Sequence, residues 1–166
     1  MAQEAPAFRS MIFPDAPEFA NPDNMVRAIE EYCVRTGQPV PQTQGEFTRC
    51  IYESLALRYR QVFELLRGFA PFPLKVLHVI GGGSRNEFLN QMTADSLGVP
   101  VVAGPVECTA AGNIMVQAQA AGEVQGLQDI RATIAACTPT NRYEPDAAAS
   151  ATFADAYARF LEVTAC

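Results

Sequence analysis

The sequence holds a single histidine, His78, among its 166 residues. One imidazole excludes a zinc site built on several histidines and leaves no second histidine for a relay. Five cysteines are present, Cys33, Cys50, Cys108, Cys137 and Cys166, yet no two form a C-x-x-C pair. No zinc ribbon or dithiol redox motif is readable, and reduced, mostly buried thiols are expected. Positive charge is also scarce, with 12 Lys+Arg against 18 Asp+Glu and a formal charge of −6. That balance lacks the basic face of a nucleic-acid binder. No apolar run approaches the roughly 20 residues of a membrane span. The opening MAQEAPAFRS has no basic segment followed by an apolar one, so no signal peptide is readable. The expectation is a soluble, cytoplasmic protein with no membrane or nucleic-acid partner.

What is present suits one globular domain. The length is that of one domain, and 49% of residues are apolar, enough for a core. Residues 1–21 read as an irregular lead-in, because Pro6, Pro14 and Pro17, with Pro22 just beyond, prevent a long helix. Asn21-Pro22 fits an N-cap followed by proline at the first helical position. Met25, Ile29, Tyr32 and Cys33 then repeat at helical spacing, and Gly37 is placed to end that helix. Thr43-Gln44-Gly45-Glu46 matches the T-x-x-E capping box. Behind it Phe47, Ile51, Leu55, Tyr59, Val62 and Leu66 form a stripe, closed by Gly68 and Pro71.

Residues 76–80, Val-Leu-His-Val-Ile, are a short apolar run that flows into Gly81-Gly82-Gly83. The pattern predicts a buried strand entering a tight turn. Ser84-Arg85-Asn86-Glu87 matches a second capping box, opening a helix with Phe88, Leu89, Met92 and Leu97 that Gly98 ends. Residues 99–103 predict a second strand, and Thr109 can cap a helix with Ile114, Met115 and Ala118 on one face. Leu127, Ile130 and Ile134 suggest a short helix, residues 141–146 a loop, and Phe153, Tyr157, Phe160 and Leu161 a last amphipathic helix. Helix and strand alternate, which implies an α/β fold with parallel strands. Two buried strands cannot make a sheet alone, since stable sheets hold about four to six. The sheet is therefore expected to be incomplete, with further strands supplied by another chain or by upstream sequence.

One constellation carries chemistry: a strand, Gly81-Gly82-Gly83-Ser84, then a helix. Glycines let a ligand approach bare backbone, and a helix start offers unpaired N–H groups to a phosphate or the polar edge of a nucleotide. No Gly-Lys-Ser/Thr follows, so this is not a Walker A loop. Position 86 is Asn, so it is not the dinucleotide fingerprint. On these grounds alone a ligand loop and a plain sharp turn stay equally open. His78 is expected as a satisfied core or edge residue, Arg85 as a solvated one, and Asp95 as a structural helix residue.

The run from Gly81 to Asn86, with Leu89-Asn90-Gln91, Ala94-Asp95, Gly98-Val99-Pro100-Val101, Gly104-Pro105-Val106-Glu107 and Gly112-Asn113-Ile114, resembles the C-terminal part of the FGGY carbohydrate kinases. Phe8-Arg9-Ser10-Met11-Ile12, Asn21-Pro22 with Met25, and Gln38-Pro39-Val40-Pro41-Gln42 share the resemblance, which spans nearly the whole chain. Cys108 departs from the small residue usual beside Glu107. The resemblance implies a ribonuclease-H-like half of an actin-like ATPase, with residues 1–166 as part of the C-terminal nucleotide-binding domain and no sugar-binding domain. Gly81, Gly82 and Gly83 would hold the adenosine part of ATP, with Gly82 the foremost backbone contact and Asn86 either at the base or ribose or capping its helix. The aspartate that deprotonates the sugar, the phosphate loop and the sugar pocket would lie upstream. The metal, Mg²⁺, would serve only with ATP in the full-length enzyme.

Within the family, residues 8–25 and 98–113 point to members that phosphorylate the 1-hydroxyl of L-rhamnulose, with a xylulose-type kinase as the alternative. Such kinases can also carry a cysteine pair capable of a disulfide where Cys33 and Cys50 stand. The chain alone is expected to be inactive. A non-catalytic nucleotide-binding module, or an interaction module that completes its sheet with a partner or by self-association at an exposed edge, are the competing readings.

Overall fold

The computed structural model describes residues 1–164. Helix α1 spans Met25–Arg35 and α2 Gln44–Phe69, followed by β1 Leu77–Val79, α3 Glu87–Leu97, β2 Val101–Ala103, α4 Cys108–Ala120, α5 Leu127–Cys137, β3 Asn141–Tyr143 and α6 Ala147–Thr164. The sheet order is β1-β2-β3. β1 and β2 pair in parallel, with His78 opposite Val102, as the strand–helix–strand order requires. β3 pairs antiparallel to β2, Val102 facing Arg142. Residues 141–146 were expected as a loop, and the first three of them form this strand instead. Asn141 and Arg142 are exposed at the sheet edge, so no apolar alternation marks the strand.

α1 begins three residues later than Asn21-Pro22 predicts. Asn24 is the N-cap, its Oδ1 accepting the N–H of Arg27 at 3.1 Å, and this side chain rather than Asn21 meets the orphan donor. At the other end Gly37 takes φ +67°. The N–H of Gln38 donates to Cys33 and that of Gly37 to Val34, which closes the last carbonyls in a Schellman motif.

The capping box of α2 forms with one change. Thr43 Oγ1 accepts the N–H of Glu46 at 3.2 Å, but Glu46 Oε2 reaches the N–H of Gln42, one residue before the cap. The buried face of α2 also differs from the predicted stripe. Phe47, Ile51 and Leu55 are half-buried, and Tyr59, Val62 and Leu66 are exposed, whereas Cys50, Glu53, Ser54, Ala56, Leu57 and Phe63 are buried. The small residues of this face let other elements approach closely. Ser96 Oγ of α3 donates to the carbonyl of Ala56 at 3.0 Å.

The lead-in crosses α1 and α2 without joining a sheet, so side chains must satisfy its backbone. Phe8 N–H donates to Glu53 Oε2 at 2.7 Å, and Ile12 N–H to Ser54 Oγ at 2.9 Å. Gln38 bonds both the N–H and the carbonyl of Met11. Glu53, 1% exposed, is also paired with Arg49 Nε at 2.7 Å. Met11 joins Leu57, Met92, Phe153, Ala156 and Phe160 in the main core, so α6 docks largely as its aromatic spacing predicts.

α4 and α5 bury no residue, and Ile114 is 65% exposed. Thr109 does not cap α4, whose N-cap is Glu107 with no side-chain hydrogen bond. The outer edge of β1 is likewise open, and the C-terminal half of α2 exposes Leu65, Leu66 and Phe69, with Leu66 in one groove with Leu77 and Val79. These surfaces agree with an incomplete sheet. Among the described residues no helix is long and apolar enough to cross a membrane.

Burial pushes the Glu53 carboxyl above the ordinary carboxylate range, with Arg49 and the Phe8 N–H drawing it part of the way back. A raised folded pKa means the folded chain holds this proton more tightly, so stability tied to it is full at low pH and is lost as pH rises through that pKa. Relative to Glu53→Gln, the wild-type chain is expected to gain stability as pH falls from 7 toward the ordinary carboxylate pKa of about 4.3. Paired urea titrations measure this. Glu53→Ala, which strands Arg49 and the Phe8 N–H, is expected to cost about 3 kcal/mol at neutral pH.

Candidate functional site

β1 ends where its ladder is closed by two loop bonds. Gly104 N–H donates to Val79 at 2.8 Å, and Gly81 N–H donates to Pro105 at 2.9 Å. Gly81 then adopts φ +78°, ψ −163°, a region almost confined to glycine. The chain turns through a short 3-10 helix, Gly82–Arg85, and enters α3. Gly81, Gly82, Gly83 and Asn86 thus sit together at one strand-to-helix corner. Gly82 and Gly83 open the 3-10 turn, so their N–H groups have no acceptor within it. A Cβ on Gly82 would meet no atom within 4 Å, so this glycine faces open space. The corner can therefore present bare backbone donors to an acceptor-rich ligand.

The second capping box is not formed. Ser84 lies inside the 3-10 turn, its Oγ donating to the carbonyl of Gly81 at 2.7 Å. Asn86 is the N-cap of α3 and accepts the N–H of Leu89 through Oδ1 at 3.0 Å. The glycine corner needs a full turn to redirect the chain, which moves the cap two residues on. Of the two roles open to Asn86, its side-chain oxygen serves the helix.

Beneath the corner lies Asn90, 2% exposed, whose Nδ2 donates to the carbonyl of Ser84 at 3.0 Å. This contact leaves only a faint mark in the sequence. Its signal is a carboxamide one turn into α3, on a face otherwise headed for the core. Arg85 stands outside and pairs loosely with Glu107 at 4.0 Å, both exposed. His78 is exposed on the edge strand, as an edge residue rather than a core one. Gly83 and Leu89 also border a groove of about 470 Å³ walled by Tyr59, Val62, Leu77 and Val79. Asp95 is buried and accepts the amide of Gln91 and the N–H of Asp146, a structural staple between α3 and the start of α6.

Cys33 and Cys50 lie apart from this corner, in the cluster with Ile12, Ile29 and Tyr32. Both are buried, free thiols within hydrogen-bonding reach of each other. The bond from Cys50 lowers the Cys33 thiol, and the same bond together with burial pushes Cys50 far up. Cys166 lies outside the described residues.

Residues 1–121 match the FGGY family of carbohydrate kinases, C-terminal domain. A rhamnulokinase of Bacteroides thetaiotaomicron is 55% identical over 144 residues, which is 87% of this chain and 30% of that protein. Rhamnulokinases of Pectobacterium atrosepticum and Bacillus subtilis are 46% and 40% identical, over 96% and 87% of the chain and 32% and 30% of their own lengths. The crystal structure of xylulose kinase from Rhodospirillum rubrum superposes with a TM-score of 0.60 at 26% identity, over 78% of this chain and 26% of that one. The chain belongs to the FGGY carbohydrate kinases, within their C-terminal domain, and spans about a third of the curated relatives it matches.

Gly81→Ala is expected to cost about 1–3 kcal/mol, because the side chain must occupy a glycine-only region. Gly82→Ala is expected to change stability by less than about 0.5 kcal/mol, since its Cβ meets nothing. Chemical denaturation of the two variants checks the contrast. Thiol titration of the folded, reduced chain is expected to label exposed Cys137 at once and Cys33 and Cys50 only after unfolding. In the same titration of unreduced chain, loss of both Cys33 and Cys50 from the count after unfolding would instead report a disulfide between them.

Proposed function

We propose that this chain is the ATP-binding C-terminal portion of a rhamnulokinase. The whole enzyme transfers the γ-phosphoryl group of ATP to the 1-hydroxyl of L-rhamnulose. The sugar oxygen forms the new P–O bond, the bond to the β-phosphate breaks, and the hydroxyl proton passes to a base upstream of this chain. The products are L-rhamnulose 1-phosphate and ADP. The observation that carries this reading is the identity to rhamnulokinases across almost the full chain, 55% over 144 residues in one of them. The xylulose kinase likeness is far lower, at 26% identity, and supports the shared fold more than the sugar.

On this reading Gly81, Gly82 and Gly83 carry the adenosine side of ATP, with Gly82 against the nucleotide. Asn86 acts by fixing the start of α3 through its cap to the Leu89 N–H. Phosphoryl transfer depends on positioning and on neutralising charge at the phosphates. Mg²⁺ is ordinarily held by one or two carboxylates together with substrate phosphates and waters. Mg²⁺ would arrive with the nucleotide and be held by the upstream domain.

The chain alone is expected to phosphorylate no sugar and to bind ATP weakly, because one wall of a cleft leaves the phosphates in water. Joined to the upstream part of the Bacteroides thetaiotaomicron relative, it is expected to restore turnover. In that chimera Gly82→Val should raise the KM for ATP about tenfold or more, roughly 1.4 kcal/mol, and leave the KM for L-rhamnulose within about twofold. A coupled ADP-release assay measures both. Phosphorylation by the isolated chain would sink the division of labour, and an unchanged ATP KM would sink the assignment of the loop.

A further inference from the structure

The glycine corner has little side chain of its own to hold it. Gly81, Gly82 and Gly83 carry none, and a run of three glycines samples many conformations unless something outside it restrains it. Two buried polar side chains supply that restraint. Ser84, 5% exposed, donates from Oγ to the Gly81 carbonyl at 2.7 Å, the same carbonyl that accepts the Ser84 N–H at 3.1 Å. Asn90, 2% exposed, donates from Nδ2 to the Ser84 carbonyl at 3.0 Å. The corner is thus tied in series, from Gly81 to Ser84 and from Ser84 to a helix packed on three sides. Ser84 and Asn90 are both buried, and Asn90, which borders the groove beside Gly83, has its Nδ2 committed to the Ser84 carbonyl.

We propose that Ser84 and Asn90 are positioning residues that hold Gly82 and Gly83 with their N–H groups presented to the nucleotide. This rests on the ATP reading of the loop. The physical content is a shift in order rather than a lost contact. With the tether cut, the loop samples conformations that cannot bind, and affinity falls by the fraction of time spent in them. A buried acceptor left without its donor also drives the loop outward toward water.

Amide hydrogen exchange on the chain itself reads this without any activity. Asn90→Leu keeps the branched shape and removes the donor, and Ser84→Ala removes only the hydroxyl. Each is expected to speed exchange of the Ser84 and Asn86 amides about tenfold or more, while amides of Ala56 and Leu57 in α2 change less than about twofold. Ser84→Thr, which restores a hydroxyl, should recover most of the protection. In the chimera with the Bacteroides thetaiotaomicron upstream part, both donor-less variants should raise the ATP KM about fivefold with kcat and sugar KM within about twofold. Should Asn90→Leu fail to fold, Ser84→Ala decides alone. Unchanged loop exchange, exchange that rises in step with α2, or an unmoved ATP KM would each overturn the proposal. Failure of Gly82→Val to alter ATP KM would overturn the ATP reading instead, and leaves the exchange result as a separate measurement of the tether.

Discussion

The structure depends on one helix being enclosed on nearly every side. α3 buries Asn90 and every residue from Met92 to Leu97. Six consecutive buried positions cover more than one face, because a helix turns through a full circle in about 3.6 residues. α2 and α6 pack on it, and β2 follows it in the chain and touches it. Enclosure demands that each polar group inside find a partner. Asn90 bonds Ser84, Ser96 bonds Ala56, Thr93 bonds Leu89, and Asp95 holds Gln91 and Asp146. Each bond ties α3 to a different neighbour or to itself, and small residues such as Ala94 and Ser96 keep the neighbours close.

That enclosure is what gives the glycine corner a fixed frame. The corner joins β1 to α3, and both of its ends are anchored, one by the ladder to Gly104 and Pro105, the other by the Asn86 cap. The floor under the three glycines is polar and buried, formed by Ser84 and Asn90. On the opposite side the lead-in is fixed in a comparable way, its backbone bonded to Glu53, Ser54 and Gln38 rather than to a strand. What remains open is β1's outer edge, the end of α2, and α4 with α5. An unpaired strand edge and exposed apolar side chains are surfaces that a folded protein ordinarily covers. Of these, the edge of β1 and the end of α2 border the corner's groove, through Leu77, Val79, Val62 and Leu66.

Local chemistry made much of this readable from residue types. Thr43 and Glu46 announced α2, Gly37 and Gly98 ended helices where they stand, and the apolar runs before Gly81 and Gly104 announced two parallel strands. The strand-to-helix corner itself was readable for the same reason, since three glycines in a row between an apolar run and a helical one mark a sharp turn. The misses share a cause, which is that tertiary partners chose among local options. Asn24 rather than Asn21 capped α1, and Asn86 rather than Ser84 capped α3, because each motif offered two candidate oxygens. The α2 stripe pointed to its largest apolar residues, whereas α3 and the lead-in selected the smaller face of Cys50, Ser54 and Ala56. β3 carries Asn141 and Arg142 at an edge, where periodicity has nothing to report. The role of Asn90 was hidden because a carboxamide reads the same in the sequence whether it is buried under a loop or solvated.

On the proposed function, the corner from Gly81 to Asn86 receives ATP. A nitrogen-resolved NMR titration of the 166-residue chain with millimolar ATP tests it most directly, since weak binding still moves amide signals. The account predicts saturable shifts concentrated at Gly81–Asn86 and the first turn of α3, with α1 and the lead-in unmoved. Shifts centred on another surface, or none at the glycines when ATP shifts signals elsewhere, would contradict it.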